Sequence, residues 1–134
     1  MAVIAFAIVA AVVTWILAAA TGEATEPVPD QVPVPQVVFT DPQVASVGQS
    51  EAEARSALGD DAVVTSEVGF GTAAGTSLLR DDADGRAKIV VDRRRGVVMG
   101  ATFVGPDAAE LLHAATIAIV GEVPVSVLRH AVPS

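Results

Sequence analysis

The sequence predicts an α+β domain, a mostly antiparallel sheet of about five strands with helices on one face, preceded by an apolar N-terminal helix and a Pro-rich linker. Three observations lead there. Ala87–Asp92 and Val97–Val104 are β-branched-rich runs joined by Arg93, Arg94, Arg95 and Gly96, a short polar connector whose glycine can take positive φ; the pattern is a hairpin. Ser50 with Glu53, and Asp107 with Glu110, are spaced as capping boxes, in which the first side chain accepts a helix N–H and the glutamate reaches back. Composition also shifts along the chain, from an uncharged stretch to a proline-rich one to an ordinary mixture, which divides it into residues 1–20, 21–36 and 37–134.

Residues 1–20, MAVIAFAIVAAVVTWILAAA, carry no charged side chain, and about twenty residues at about 1.5 Å rise just cross the hydrocarbon core of a bilayer. The stretch reads as an apolar helix and a membrane segment, with Ala18 and Ala20 forming an A-x-A cleavage pattern. Weakly hydrophobic alanines, an n-region without Lys or Arg, and no basic residue before Arg55 favour the competing reading, a buried helix left by truncation of a longer protein. Localisation follows the outcome: membrane-associated if residues 1–20 insert, cytoplasmic otherwise. Residues 21–36 place Pro27, Pro29, Pro33 and Pro35 among Glu23, Glu26 and Asp30, which removes backbone donors and favours an extended spacer.

The domain opens with a strand at Val37, Val38 and Phe39, and Asp41-Pro42 signals a turn. A helix over Glu51–Leu58 follows Ser50 and is closed by Gly59; Ala62–Val68 is the next strand, and Gly69–Thr76 is glycine-rich. After the hairpin, Gly105-Pro106 stops the last strand and Asp107 starts the central helix. Its apolar positions Ala108, Leu111, Leu112, Ala115 and Ile119 form one stripe facing a sheet until Gly121 ends it. Pro124–His130 adds a helical turn or two, with Val125, Val127 and Leu128 partly buried.

Several residues invite chemical assignments, and each has a plainer explanation. Gly69-Phe70-Gly71-Thr72-Ala73-Ala74 matches G-x-G-x-x-A after a strand, but the polar residues that follow are too few for the crossover helix whose N-terminus would receive a pyrophosphate. Asp82, Asp84 and Gly85 echo a calcium loop whose first and twelfth positions would be Arg80 and Val91, leaving too few oxygen ligands. Arg93–Arg95 is the one basic cluster and reads as a solvated turn. His113 lies within the central helix with only Glu110 as an acidic neighbour at helical spacing, a surface or contact residue rather than a base. His130 has no downstream carboxylate to orient its ring.

The chain has 134 residues with a formal charge of −8, which argues against nucleic acid, since that binding needs clustered positive charge. It has no cysteine, so neither a disulfide, a thiolate metal site nor a redox-active cysteine pair is available within it.

Taken in order, VPQVVFTDPQVASVG at residues 34–48, the hairpin, and GATFVGPDAAELLHAATIAIV at residues 100–120 resemble the C-terminal interface (dimerisation) domain of the flavin-dependent pyridine nucleotide–disulfide oxidoreductases, the group of dihydrolipoamide dehydrogenase, mercuric reductase and glutathione reductase. The most specific pieces are Phe39-Thr40-Asp41-Pro42 with Val44-Ala45-Ser46-Val47-Gly48, and Gly105-Pro106-x-Ala108-x-Glu110-Leu111. The resemblance implies a homodimer contact domain, a partner that is a second copy or the FAD/NAD-binding part of a reductase, and a complete enzyme that carries FAD and takes electrons from NADH or NADPH to reduce a disulfide or related acceptor. In that family the region leads to a segment of the type H-P-T-x-S-E with an acid–base histidine. Here His130-Ala131-Val132-Pro133-Ser134 ends the chain, which puts Val132 at the catalytic position or that position beyond Ser134. The expectation is therefore a split or truncated member, inactive alone, with no catalytic, cofactor-binding or metal-binding residue of its own. The alternative is a membrane-anchored protein-binding module that reuses the interface fold.

Overall fold

Five strands form one antiparallel sheet: β1 (Gln36–Val38), β2 (Gln43–Gly48), β3 (Val63–Gly69), β4 (Arg86–Asp92) and β5 (Val97–Gly105), in the spatial order β1-β2-β5-β4-β3. This computed structural model describes residues 16, 18–20, 33–72 and 84–131. The chain divides into two units, Met1–Val32 and Pro33–Ser134. In the first, residues 16 and 18–20 are helical; the rest of the membrane-segment reading, and residues 21–32 of the linker, lie outside the described residues. Among the described residues no helix is long and apolar enough to cross a membrane.

β2 is the strand that the sequence reading did not mark. Ala45 and Val47 are its only core-facing residues, a two-position signal diluted by Gln43, Ser46 and Gly48. It pairs with β1 through Val38 opposite Val44 and with β5 through Val47 opposite Ala101. Phe39 lies beyond the end of β1 and is 78 % exposed, so the first strand runs one residue earlier than expected.

The β4–β5 hairpin forms as expected, with Gly96 at φ 66°. Its turn is organised by Asp92, a buried carboxylate whose Oδ1 accepts from the N–H groups of Arg94 (2.8 Å) and Arg95 (3.1 Å). An irregularity between Val90 and Val91 shifts the ladder by one residue.

Helix α1 (Glu51–Leu58) has the expected capping box. Ser50 Oγ accepts from Glu53 N–H (3.3 Å), and Ser50 N–H donates to Glu53 Oε2 (2.8 Å). Gly59, at φ 88°, donates to the Arg55 carbonyl and ends the helix. Helix α2 (Ala108–Val120) corrects the second box. Asp107 adopts a left-handed conformation at φ 56° and its side chain makes no cap bond; that backbone turns the carboxylate away from the first helical N–H groups. A long bond from Ala109 N–H to Gln43 Oε1 of β2 (3.4 Å) serves one of those donors instead. A short helix, α3 (Val125–Leu128), follows.

Cross-strand register decides which face each helix covers. Ala45 pairs with Phe103, Val47 with Ala101, and Ile89 with Ala101, so these side chains share one face, and α2 packs there through Ala108 and Leu112 with Ala115 and Ile119 beside them. Val90 pairs with Gly100 and Thr65, on the opposite face, where Val63, Val90 and the Met99 side chain pack around Ala54 of α1. The fold class is the expected one, with the detail that the two longer helices divide between the faces rather than share one. Within the α2 stripe Leu111 is exposed and Ala118 is buried. The chain turns back after Gly121, with Val123 N–H donating to the Ala118 carbonyl and Pro124 bridging Val97. Val125 and Leu128 are partly buried as expected, whereas Val127 is exposed.

Candidate functional site

Helix α2 covers β2 and β5 on its face, and among the described residues no helix covers the β3–β4 half. Val64 and Val68, the apolar side chains of β3 on that side, are 36 % and 53 % exposed, beside half-buried Ala87, Ile89 and Val91. Helix α2 adds exposed Leu111, Ile117 and Val120. Large apolar side chains left in water in this number mark a contact surface more readily than a catalytic pocket.

The other face holds the charged groups. Lys88 Nζ meets Glu51 Oε2 at 2.6 Å, and Glu51 Oε1 also receives Arg55 Nε at 2.8 Å, so α1 is tied to β4. These hydrogen bonds, to Lys88 first and Arg55 second, hold the Glu51 carboxyl below the usual carboxylate range. Arg86 pairs with Glu67 at 2.8 Å across β4 and β3, which raises the guanidinium still further above neutrality. Glu67, Arg86 and Lys88, with Pro42, Asp84, Gly85, Thr102 and Val104, line an open depression of about 330 Å³. Every cation there has an acidic partner, so the depression presents no free charge to an anionic ligand.

The residues weighed for chemistry do not converge. His113 and His130 are both exposed, and Arg129 Nε donates to the His130 ring at Nε2 (3.3 Å). Gly69 ends β3, and Phe70–Thr72 is a single 3-10 turn. The Phe70 ring lies against Gly85 and Gly105, where an added Cβ would stand 2.5 Å and 2.7 Å from it, so the glycines at those two places admit a ring rather than a pyrophosphate. The described part of the dinucleotide pattern thus runs from the strand end into a single 3-10 turn; Ala73 and Ala74 lie outside the described residues, as do Asp82 and Val132. Among the described residues no group of three or more His, Asp or Glu side chains is arranged to hold a metal. In the basic turn Arg93 and Arg94 are exposed, while Arg95 pairs with Glu122.

Residues 34–134 match the family model described as "Pyridine nucleotide-disulphide oxidoreductase, dimerisation domain". The chain belongs to that family. Dihydrolipoyl dehydrogenase of Bacillus subtilis is 34% identical over 97 residues, covering 72% of this chain and 20% of the relative. A dihydrolipoyl dehydrogenase of Haloferax volcanii is 42% identical over 97 residues with the same coverage. Among solved structures, LpdA from Mycobacterium tuberculosis superimposes with a TM-score of 0.70 at 27% identity, over 89% of this chain and 25% of that one. The chain thus spans about a fifth of the length of the curated relatives it matches (20%). Two features of this family domain had little sequence signal. Asp92 is legible only as an Asx residue before a turn, and Gln43 becomes a helix partner only once β2 and α2 are side by side.

Proposed function

We propose that residues 33–134 serve as the homodimer contact domain of a FAD- and NAD(P)H-dependent disulfide reductase, and that the chain is not catalytic alone. One observation carries the reading: a match to the family's dimerisation domain falls on a fold that leaves Val64, Val68, Leu111, Ile117 and Val120 in water. The flavin and the electron donor belong to the remainder of a complete family enzyme. Reduction of a disulfide through a protein dithiol also needs cysteines, and this chain has none.

The test is to purify the chain, add FAD, remove the unbound flavin and record the visible spectrum, then assay NADH and NADPH oxidation with lipoamide, glutathione disulfide and a mercuric salt. The expected result is no retained flavin, no oxidation above the protein-free control, and light scattering that reports twice the chain mass. Stoichiometric flavin retention or clear turnover would contradict the reading, as would a monomer at high micromolar concentration.

A further inference from the structure

Helix α2 does not run straight into α3. Gly121 ends it, Glu122 turns the chain at φ 46°, and Val123 N–H closes that turn on the Ala118 carbonyl (2.9 Å). In the left-handed region a glutamate Cβ crowds the neighbouring backbone, so the conformation at Glu122 is strained and has to be held by contacts outside the residue.

The β4–β5 turn supplies those contacts. Arg95 pairs with Glu122, and Val97 forms a bridge with Pro124 in which the Gly96 carbonyl accepts from Val125 N–H (2.8 Å). The turn is itself fixed to the sheet: buried Asp92 Oδ1 takes the Arg94 and Arg95 N–H groups, and Gly96 N–H returns to the Asp92 carbonyl (2.8 Å). A turn anchored on Asp92 therefore holds a strained residue and the segment that follows it.

That segment has little else to secure it. Helix α3 has four residues, none of them buried, and Val127 is 55 % exposed. A helix so short has no stability of its own in water, and segments with few buried apolar contacts open at a lower free energy than the whole fold.

We propose that residues 123–131 form a strap that opens as a unit about Glu122 while the sheet stays folded, and that the β4–β5 turn is the latch that keeps it closed. Opening relaxes the backbone at Glu122 and releases the bridge to Val97. The Arg95–Glu122 pair is the adjustable part of the latch, since its side chains are 52% and 64% exposed and the Gly96–Val125 bond is uncharged.

The full chain and three variants are compared by amide exchange at one fixed protein concentration. Val125, Leu128 and Arg129 report the strap, and the β4–β5 amides report the sheet. Arg95→Glu sets like charges at the latch and leaves the turn's own bonds in place, because Asp92 binds the backbone of residue 95 and not its side chain. Val125→Pro deletes the N–H that Gly96 accepts, at the first position of α3, where a helix tolerates proline. Arg95→Glu with Glu122→Arg restores the pair in reverse. The first two should speed exchange at Leu128 and Arg129 by about three- to tenfold with the β4–β5 amides unchanged, and the third should return them to within about twofold of the starting rate. Strap amides that keep their rate in both Arg95→Glu and Val125→Pro overturn the latch. Strap and sheet amides that accelerate by the same factor overturn the separate opening.

Discussion

At Gly100 the sheet meets the residue that leads into α1, and a Cβ there would lie 1.9 Å from the Gln49 carbonyl oxygen. Both groups are backbone, with no flexible side chain to give way. Gly100→Ala is expected to cost about 2–3 kcal/mol, read as a lower urea midpoint with an unchanged slope. Asp92 is the other single residue on which the local structure depends, because removing its carboxylate leaves the Arg94 and Arg95 N–H groups without their acceptor. Asp92→Ala should cost about 1–3 kcal/mol in the same measurement. Beside Glu53, whose carboxyl the Ser50 N–H and hydroxyl hold below its usual range, Glu51 carries part of the pH dependence. Its folded pKa is lowered by Lys88 and Arg55, so its contribution is fully present above the unfolded value, near 4.5, and is lost as pH falls through the lower folded value. Glu51→Gln should therefore be the less stable protein at about pH 7, and the gap should narrow at about pH 3; a gap that is constant across that range would show that the ion pairs with Lys88 and Arg55 contribute nothing. Of these three roles the sequence carried only a faint trace, Asp92 as an Asx residue before a turn. Gly100 needed the path of Gln49, Asp92 needed the closed turn, and Glu51 needed α1 laid across Lys88.

At the scale of elements, the signals that held were those whose partners lie within one turn of each other. The Ser50–Glu53 box is such a signal, and Ser50→Ala should cost about 1 kcal/mol. The Asp107–Glu110 pattern has the same spacing but failed, because Gly105-Pro106 delivers the chain to Asp107 in a left-handed conformation. Asp107→Gly should consequently stabilise the protein by up to about 1 kcal/mol, opposite in sign to the loss that a capping carboxylate would show; thermal unfolding reads the difference. The hairpin was legible from its two β-branched runs and Gly96. β2 was not, since half of its six residues are Gln, Ser and Gly and its place between β1 and β5 depends on long-range pairing. Leu111 was assigned to the core from spacing alone; Ala118, with Val123 N–H on its carbonyl, is buried instead, and Leu111 remains in water.

For the whole molecule, the α+β class and the family were legible because two separated motifs and the hairpin between them occur in one order, and residues 34–134 match the family's dimerisation domain. The division of α1 and α2 between the two faces was not legible, because helical periodicity reports which side of a helix is apolar and not which side of the sheet receives it. Among the described residues that division places no helix over the β3–β4 half of one face, where the valines of β3 are exposed. An unsatisfied apolar face on a domain of this family is the physical basis for proposing self-association. Sedimentation equilibrium of the full chain, from low to high micromolar concentration, tests that claim most directly. The account predicts a reversible monomer–dimer equilibrium with the dimer predominant at the upper end. A single species of monomer mass at every concentration would contradict it.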